Sequence, residues 1–453
     1  MIRPKFFLVI LDLLLAIGCL VCAYLLRFGS VDSLNMLWGG GLIRVFTFLI
    51  VVVSSSYLFA LFDYQEFSSR KYILQRVFLA TLTSFLILSA IFYMFPSLRF
   101  WRGVLLLVMI LYGAAQVGLR LLVRGFSGAS LFASRILIVG AGELAQQIFD
   151  IVPQNQNIHS YVRFIACTDK DPVVDPKLIV GHINQLDEIL HDYRPQKLIL
   201  SLTERRGNLP LKEIMHSKLR GVEVLDATTF YEQTMGCLMV ENMQPSTFIY
   251  THRFRMTPFM RSYKRLFDVL MSVLGLVIVS PILPLIAIAV KIDSPGPIFY
   301  KQLRVGEREV EYFVYKFRTM AQDAEMNSGA VWAQKNDPRV TRLGKLLRKT
   351  RLDEIPQLYN VLKGDMSFIG PRPERMAFVE RLKETIPFYS TRHFVKPGVT
   401  GWAQVCYPYG ASDEDALEKL RYDLYYIKNY SILLDFRIIL DTIRVVTSGF
   451  GGR

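Results

Sequence analysis

Two adjacent carboxylates, Asp353 and Glu354, stand in the run RKTRLDEIPQLYNVLKGDMSFIGPRP (residues 348–373), between a cluster of basic residues and a Pro-Arg-Pro turn. A carboxylate kept ionised by neighbouring cations is an oxygen nucleophile. A second carboxylate beside it supplies hard oxygen ligands for Mg2+, the ion that neutralises diphosphates. The pattern therefore points to chemistry on a phosphorylated substrate. Asp353 reads as the N-cap of a short helix with Pro356 in its first turn, Ile355, Leu358, Tyr359 and Leu362 as its buried stripe, and Gly364 at its end. Both acids then lie off the buried stripe, where the helix dipole and Arg348 would keep a carboxylate charged. A plain cap with a dipole-complementing acid has the same two residue types, but it has no need of the surrounding cations.

Those cations come from several stretches. EYFVYKFRTM (311–320) alternates apolar and polar side chains as a strand and ends on Lys316 and Arg318. Residues 340–349 read as a basic amphipathic helix suited to a bilayer surface, with Val340, Leu343, Leu346 and Leu347 on one face. Arg372, fixed between two prolines, can hold a phosphate at little ordering cost. Further on, residues 396–404 (KPGVTGWAQ) form a glycine-rich turn carrying Trp402 and Gln404. An aromatic-rich amphipathic helix over 417–430 carries Asp423, and 432–446 is an apolar helix.

The elements that must position these groups belong to a membrane protein. Of the 453 residues 52% are hydrophobic, the formal charge is +14 and the mean hydropathy is positive. With so many apolar tracts, that charge suits anionic head groups and phosphates, and no nucleic-acid motif is present. Four tracts of roughly bilayer-spanning length, at about 6–26, 42–62, 73–95 and 104–123, predict a four-helix transmembrane bundle over residues 1–130. The basic residues around them put both ends of the bundle on the cytoplasmic side. Five scattered cysteines give no disulfide framework and fit a reducing compartment.

Residues 131–250 change to a βαβ series (RILIV, VRFIAC, KLILSL, VEVL), a Rossmann-like α/β domain. Its first strand runs into a G-x-G-x-x-A turn with Gly140 and Gly142, and Asp169 lies somewhat beyond the usual place of a ribose-binding acid. A strand-to-helix turn needs such glycines with or without a ligand, and Glu143 puts a negative charge where a phosphate would sit. A linker (251–262) leads to a fifth apolar tract, 266–290, interrupted by Ser280-Pro281 and Pro284. Interior prolines break a helix, and the tract is basic on both flanks. A re-entrant helix turning at Ser280-Pro281 keeps both ends in the cytoplasm.

KRLFD (264–268), the Ser280-Pro281 break, YKFRTM, LDEIPQLYNVLKGDMSFIGPRP and KPGVTGWAQV together resemble the bacterial sugar transferases, the monotopic phosphoglycosyl transferases. The resemblance covers residues 263–453, and the preceding bundle and α/β domain look like the long form of that family. It implies a C-terminal re-entrant-helix α/β catalytic domain on the cytoplasmic face of the bacterial inner membrane. It also implies transfer of a hexose-1-phosphate from a UDP-sugar to polyprenyl phosphate with release of UMP, at the start of exopolysaccharide, O-antigen or capsule synthesis. Carried onto this chain, it makes Asp353 the nucleophile that becomes phosphosugar-bound and Glu354, with Asp353, the Mg2+ ligand. Lys316, Arg348 and Asp423 match polar positions around that family's active site and Arg372 matches the arginine of its Pro-Arg-Pro turn. The expected catalytic set is thus Asp353, Glu354, Arg348 and Lys316, with Arg318, Arg372, Asp423 and Gln404 as substrate-binding residues, and a homodimer is among the expected assemblies. Where many relatives continue Asn-Gly-Arg after residue 405, this chain has Cys406-Tyr407-Pro408, which leaves the hexose open. Two other classes stay open. One is a membrane-tethered NAD-dependent epimerase or dehydratase centred on Gly140 and Gly142, against which no Tyr-x-x-x-Lys pair follows the turn. The other is a non-enzymatic polysaccharide-assembly subunit.

Overall fold

The computed structural model describes residues 4–29, 42–59, 61–62, 70–100, 102–127, 135–152, 161–167, 172–201, 211–243, 256–321, 337–408, 410 and 412–448; Asp169 and the first five residues of the 251–262 linker lie outside them. The chain divides into two compact units, residues 1–134 with 155–161, and residues 135–154 with 162–453.

In the first unit the apolar tracts form α1 (Pro4–Phe28), α2 (Leu42–Leu58), α3 (Arg70–Met94) and α4 (Arg102–Ser127). Three are long and apolar enough to cross a bilayer, over Phe7–Phe28, Ile73–Met94 and Gly103–Val123. The 17 residues of α2 reach only about 26 Å at about 1.5 Å per residue, short of a ~30 Å hydrocarbon core. All four helices nevertheless feed one core, in which the edge of Phe100 meets Tyr24, Phe48 and Phe92. Apolar side chains such as Leu14, Phe46, Phe78 and Ile110 also point outward, as lipid-facing positions do. Within the bundle Arg120 pairs with Asp12 at 2.8 Å, both fully buried. Gln116 Nε2 donates to Asp12 and to Ser56, each at 2.9 Å. Buried charge in an apolar bundle is tolerated only with such partners.

The second unit opens with an all-parallel five-stranded sheet of order β3-β2-β1-β4-β5. The strands are β1 (Ile136–Val139), β2 (Val162–Ala166), β3 (Ile179–His182), β4 (Lys197–Leu200) and β5 (Glu223–Asp226). Helices α5 (Glu143–Ile151), α6 (Leu186–Tyr193), α7 (Leu211–Leu219) and α8 (Ala227–Met235) accompany them. Gly140 has φ +119°, and a Cβ there would lie 2.7 Å from Ser201 Oγ, so its glycine is accounted for by the close approach of the end of β4. Gly142 has open space around it. Just past α8, Gly236 accepts from Trp402 Nε1 at 2.6 Å, and within α8 Glu232 accepts from Lys428 at 2.6 Å and Asn429 at 2.7 Å. Leu238 and Val240 enter the core formed by Phe378, Leu420 and Leu424.

The C-terminal part of this unit begins with α9 (Pro258–Val279) and α10 (Leu283–Asp293), two apolar helices bent by 67° at a break of residues 280–282. Ser280 Oγ donates to Val277 O at 2.9 Å, which satisfies a carbonyl released by the bend. The exposure pattern of α9 is inverted. Lys264, Asp268 and Ser272 are buried, while Leu266, Leu270, Leu274 and Val277 are exposed. Lys264, one of the basic residues before the tract, bonds Asp435 at 2.9 Å and Tyr426 OH at 3.2 Å. Asp268 receives Ser367 Oγ and the Phe368 amide, each at 2.9 Å. This polar network ties α9 to the strand that precedes Arg372.

An antiparallel hairpin follows, β6 (Phe299–Val305) with β7 (Glu311–Phe317). Then come α11 (Arg342–Thr350), a single 3-10 turn (Leu352–Glu354), α12 (Gln357–Lys363), β8 (Ser367–Ile369) and α13 (Met376–Thr385). β9 (Gly398–Thr400), α14 (Trp402–Cys406), α15 (Asp413–Lys428) and α16 (Ile432–Ser448) complete the chain. β8 pairs parallel with β9. Gly370 and Gly398 are in backbone contact there, and a Cβ on either would come within 2.4 Å or less of backbone atoms. Glycine is required at both, so that the two loops close on each other.

Candidate active site

The two acids do not cap a helix. Thr341 caps α11 by accepting from the Gly344 amide at 3.0 Å, and α11 ends at Arg351 in the left-handed region (φ 59°). The chain then makes the 3-10 turn that carries Asp353 and Glu354, and α12 starts only at Gln357, with Pro356 as its N-cap residue. The amides of Glu354 and Ile355 bond back to Arg351 O and Leu352 O in the tighter 3-10 pattern, so the α-helical ladder begins only past Pro356. Gly364 closes α12 at φ 99°. Within α12, Leu358 is buried with Gln357, Asn360 and Val361, whereas Tyr359, expected in the buried stripe, is exposed. Leu346 of α11 is likewise exposed and only Leu347 fully buried. Asp353 and Glu354, expected off the buried stripe, are nevertheless only 7% and 6% exposed, so burial enters the ionisation of both.

The surroundings of the two carboxyls differ. Glu354 Oε1 accepts from Lys316 Nζ at 2.7 Å and from Arg372 Nη2 at 2.6 Å, and Oε2 lies 4.0 Å from Arg351 Nη1. Burial pushes its carboxyl up, but Arg372, Lys316 and Arg351 overcome this and hold it well below the usual range. Burial and the adjacent Glu354 charge instead raise Asp353, against the pull of Lys316, Arg348 and Arg372. The expectation that the helix dipole and Arg348 would dominate at Asp353 is thus overturned by desolvation. Asp353 Oδ1 is buried and has no hydrogen-bond partner among the described residues. One carboxylate is fixed by cations, and the other keeps an oxygen with no protein partner.

The other expected residues separate into groups. Lys316 and Arg372 meet at Glu354. Arg348 bonds Thr319 Oγ1 at 3.0 Å and lies near enough to act on Asp353. Arg318 is buried and donates to Ser294 O at 2.5 Å, fastening β7 to the end of α10. Gln404 donates to Val399 O at 3.2 Å, within its own turn. Asp423 is buried against Arg392, 2.9 Å from Nη2, and burial pushes its carboxyl up to about 6. Ser280, Pro281, Gly140 and Gly142 take no part in this cluster. Arg351 and Arg392 were not singled out from the sequence. A lone arginine in STRHF carries no motif, and only the long-range pairing with Asp423 reveals it. Among the described residues no group of three or more His, Cys, Asp and Glu side chains could hold a metal. Mg2+, however, is commonly held by one or two carboxylates with substrate phosphates and water, and the open oxygen of Asp353 beside Glu354 fits that donor set.

The profile of the family described as bacterial sugar transferase matches residues 259–449. The chain is 48% identical over 197 residues to a UDP-N-acetylgalactosamine-undecaprenyl-phosphate N-acetylgalactosaminephosphotransferase of Aeromonas hydrophila, covering 44% of this chain and 46% of that protein. It is 32% identical over 324 residues to an undecaprenyl-phosphate glucose phosphotransferase of Komagataeibacter xylinus, covering 69% of this chain and 59% of the relative. The match therefore spans about half the length of each of these two relatives. It is also 43% identical over 185 residues, 40% of this chain, to the exopolysaccharide production protein PSS of Rhizobium leguminosarum bv. phaseoli. Because 92% of that Rhizobium protein is covered and the family profile runs over the segment that bears Asp353 and Glu354, the chain belongs to the bacterial sugar transferase family.

Proposed function

We propose that this protein transfers a hexose-1-phosphate from a UDP-sugar to polyprenyl phosphate in two displacements at Asp353. A carboxylate oxygen of Asp353 attacks the sugar-bearing phosphorus of the diphosphate. An O–P bond forms, the bond to the bridging oxygen breaks, and UMP leaves with that oxygen. A phosphate oxygen of the lipid then attacks the same phosphorus, the aspartyl bond breaks, and the carboxylate is regenerated with polyprenyl-diphosphate-sugar as product. The observation that carries this reading is the Oδ1 of buried Asp353, without a hydrogen-bond partner among the described residues, beside a Glu354 pinned by Lys316 and Arg372. Those two cations, with Arg348, also face developing phosphate charge. Mg2+ bound by Asp353 and Glu354 would neutralise the diphosphate. Two relatives named for transfer to undecaprenyl phosphate, one for N-acetylgalactosamine and one for glucose, agree with this substrate class. The purified protein with Mg2+ and undecaprenyl phosphate is expected to release UMP from at least one member of a UDP-sugar panel containing both sugars. No release across the panel sinks the proposal.

The catalytic part, residues 263–453, works on this reading at the cytoplasmic face of the inner membrane. The α1–α4 bundle (1–130) crosses the membrane four times, the bilayer thinning beside the shorter α2, and the α/β domain (131–250) follows in the cytoplasm. The α9–α10 pair dips into one leaflet and returns. Its inverted exposure and 67° bend support this, as do the cations at both ends, Arg261 and Arg265 before and Lys291, Lys301 and Arg304 after. Single cysteines placed at Arg261 and Lys301, with the native cysteines replaced, are expected to label from the same membrane side. Labelling from opposite sides makes α9–α10 a crossing.

A further inference from the structure

The mechanism above uses Arg372 but not the groups that hold its backbone. Arg392, 5% exposed, spreads its guanidinium over three acceptors. Nη2 donates to the Arg372 carbonyl at 3.0 Å and to Asp423 Oδ2 at 2.9 Å, and Nη1 donates to Tyr389 OH at 2.5 Å. Asp423 sits on α15, which also sends Tyr426 OH to the Ile369 carbonyl at 3.3 Å. The loop of β9 takes the rest of the turn: Gly370 N donates to Thr400 O and Gly398 N to Pro371 O, each at 2.9 Å. The Pro-Arg-Pro turn is thus gripped at both ends, and its middle residue alone sends a side chain to the carboxylate beside the nucleophile, Arg372 Nη2 to Glu354 Oε1 at 2.6 Å.

Asp423 matched a substrate position in the sequence, but here it is buried on Arg392 and reaches the site only through it. We propose that Arg392, seated by Asp423, is a positioning residue that fixes the Arg372 backbone so that the Arg372 side chain meets Glu354. Burial argues for this role over a purely structural one. A charged pair removed from water gains little net stability, whereas a planar fork with several fixed donors sets a geometry that a flexible ammonium cannot reproduce.

The kinetic arm of the test rests on the transfer reading; the exchange arm does not. For Arg392→Lys, kcat/KM for the UDP-sugar is expected to fall about 10²-fold, the scale of a misplaced catalytic contact. The double variant Arg392→Lys/Arg372→Lys should then be no worse than Arg372→Lys alone, because the first residue acts through the second. Losses that multiply overturn the proposal. Hydrogen exchange of the full-length protein reads the same device without turnover. Amides of residues 367–374 are expected to exchange faster in Arg392→Lys, while those of the β6–β7 hairpin are unchanged. Unchanged exchange at 367–374, or equal acceleration in the hairpin, overturns positioning. An inactive wild type sinks the transfer reading while leaving this arm decisive.

Discussion

Asp353→Asn should abolish transfer, lowering turnover by about 10⁴-fold or more, the scale seen when a covalent nucleophile is removed, while the folded protein is retained. The amide keeps the shape of the carboxyl but has no charged oxygen with which to attack phosphorus. Since Asp353 Oδ1 has no protein hydrogen-bond partner among the described residues, the change costs little packing. UMP release from the purified variant checks it, and undiminished release removes Asp353 from the mechanism. The same assay across pH carries a signed expectation. Burial raises Asp353 above its ordinary range and takes Asp423 to about 6; protonation of either removes a charge the site uses, so activity falls as the pH is lowered. Stability moves differently. A carboxyl raised in the folded state costs stability at higher pH and regains it as it protonates. Glu354, held well below its ordinary value, contributes stability above its unfolded pKa and loses it only when pH falls through its depressed folded value. Activity should therefore disappear at a pH where the fold persists.

The largest effect on stability is expected from Lys264→Met. Lys264 bonds Asp435 at 2.9 Å and stands 3.9 Å from Asp268, and the three side chains are 10%, 2% and 4% exposed. Removing the cation leaves two carboxyls facing each other out of water, a loss of about 3–5 kcal/mol for a broken buried pair. Replacing the partner as well, Lys264→Met with Asp435→Leu, should recover much of it, because apolar substitution of a whole buried pair is near neutral. Thermal unfolding of the detergent-solubilised variants decides this. A single variant as stable as wild type would mean that the network does not hold α9 in place.

What the sequence made legible was local. Alternation and β-branched runs marked β1, β2, β4 and β5, and the interior prolines marked where α9 gives way to α10. The short β3 escaped notice, since four residues between Pro176 and the Gln185 turn carry too little period to register. The DE pair was legible as a cluster of charge, but its state was not. Helical periodicity predicted which face Asp353 would occupy, whereas its ionisation depends on burial and on residues 37 and 19 positions away, Lys316 and Arg372. Arg392 and Asp423 pair across 31 residues, and no spacing rule reports such a contact. Tyr359 shows the same limit in reverse. Its spacing allowed it in the stripe, but the side of α12 that packs inward carries Gln357, Leu358, Asn360 and Val361, which leaves Tyr359 exposed.

The stretch just past α8 bears on how this chain can be divided. By composition, the sheet ends near residue 250 and catalysis begins at 263, so a cut between them looks harmless. Yet Leu238 and Val240, 4% and 1% exposed, fill part of the same interior as Leu420 and Leu424 on the helix that carries Asp423. Trp402 donates to Gly236 at the edge of that interior. The boundary that matters for excision therefore lies on the sheet side of Gly236. A catalytic fragment that keeps residues 236–243 keeps its own wall, and one that begins at 263 opens it to water.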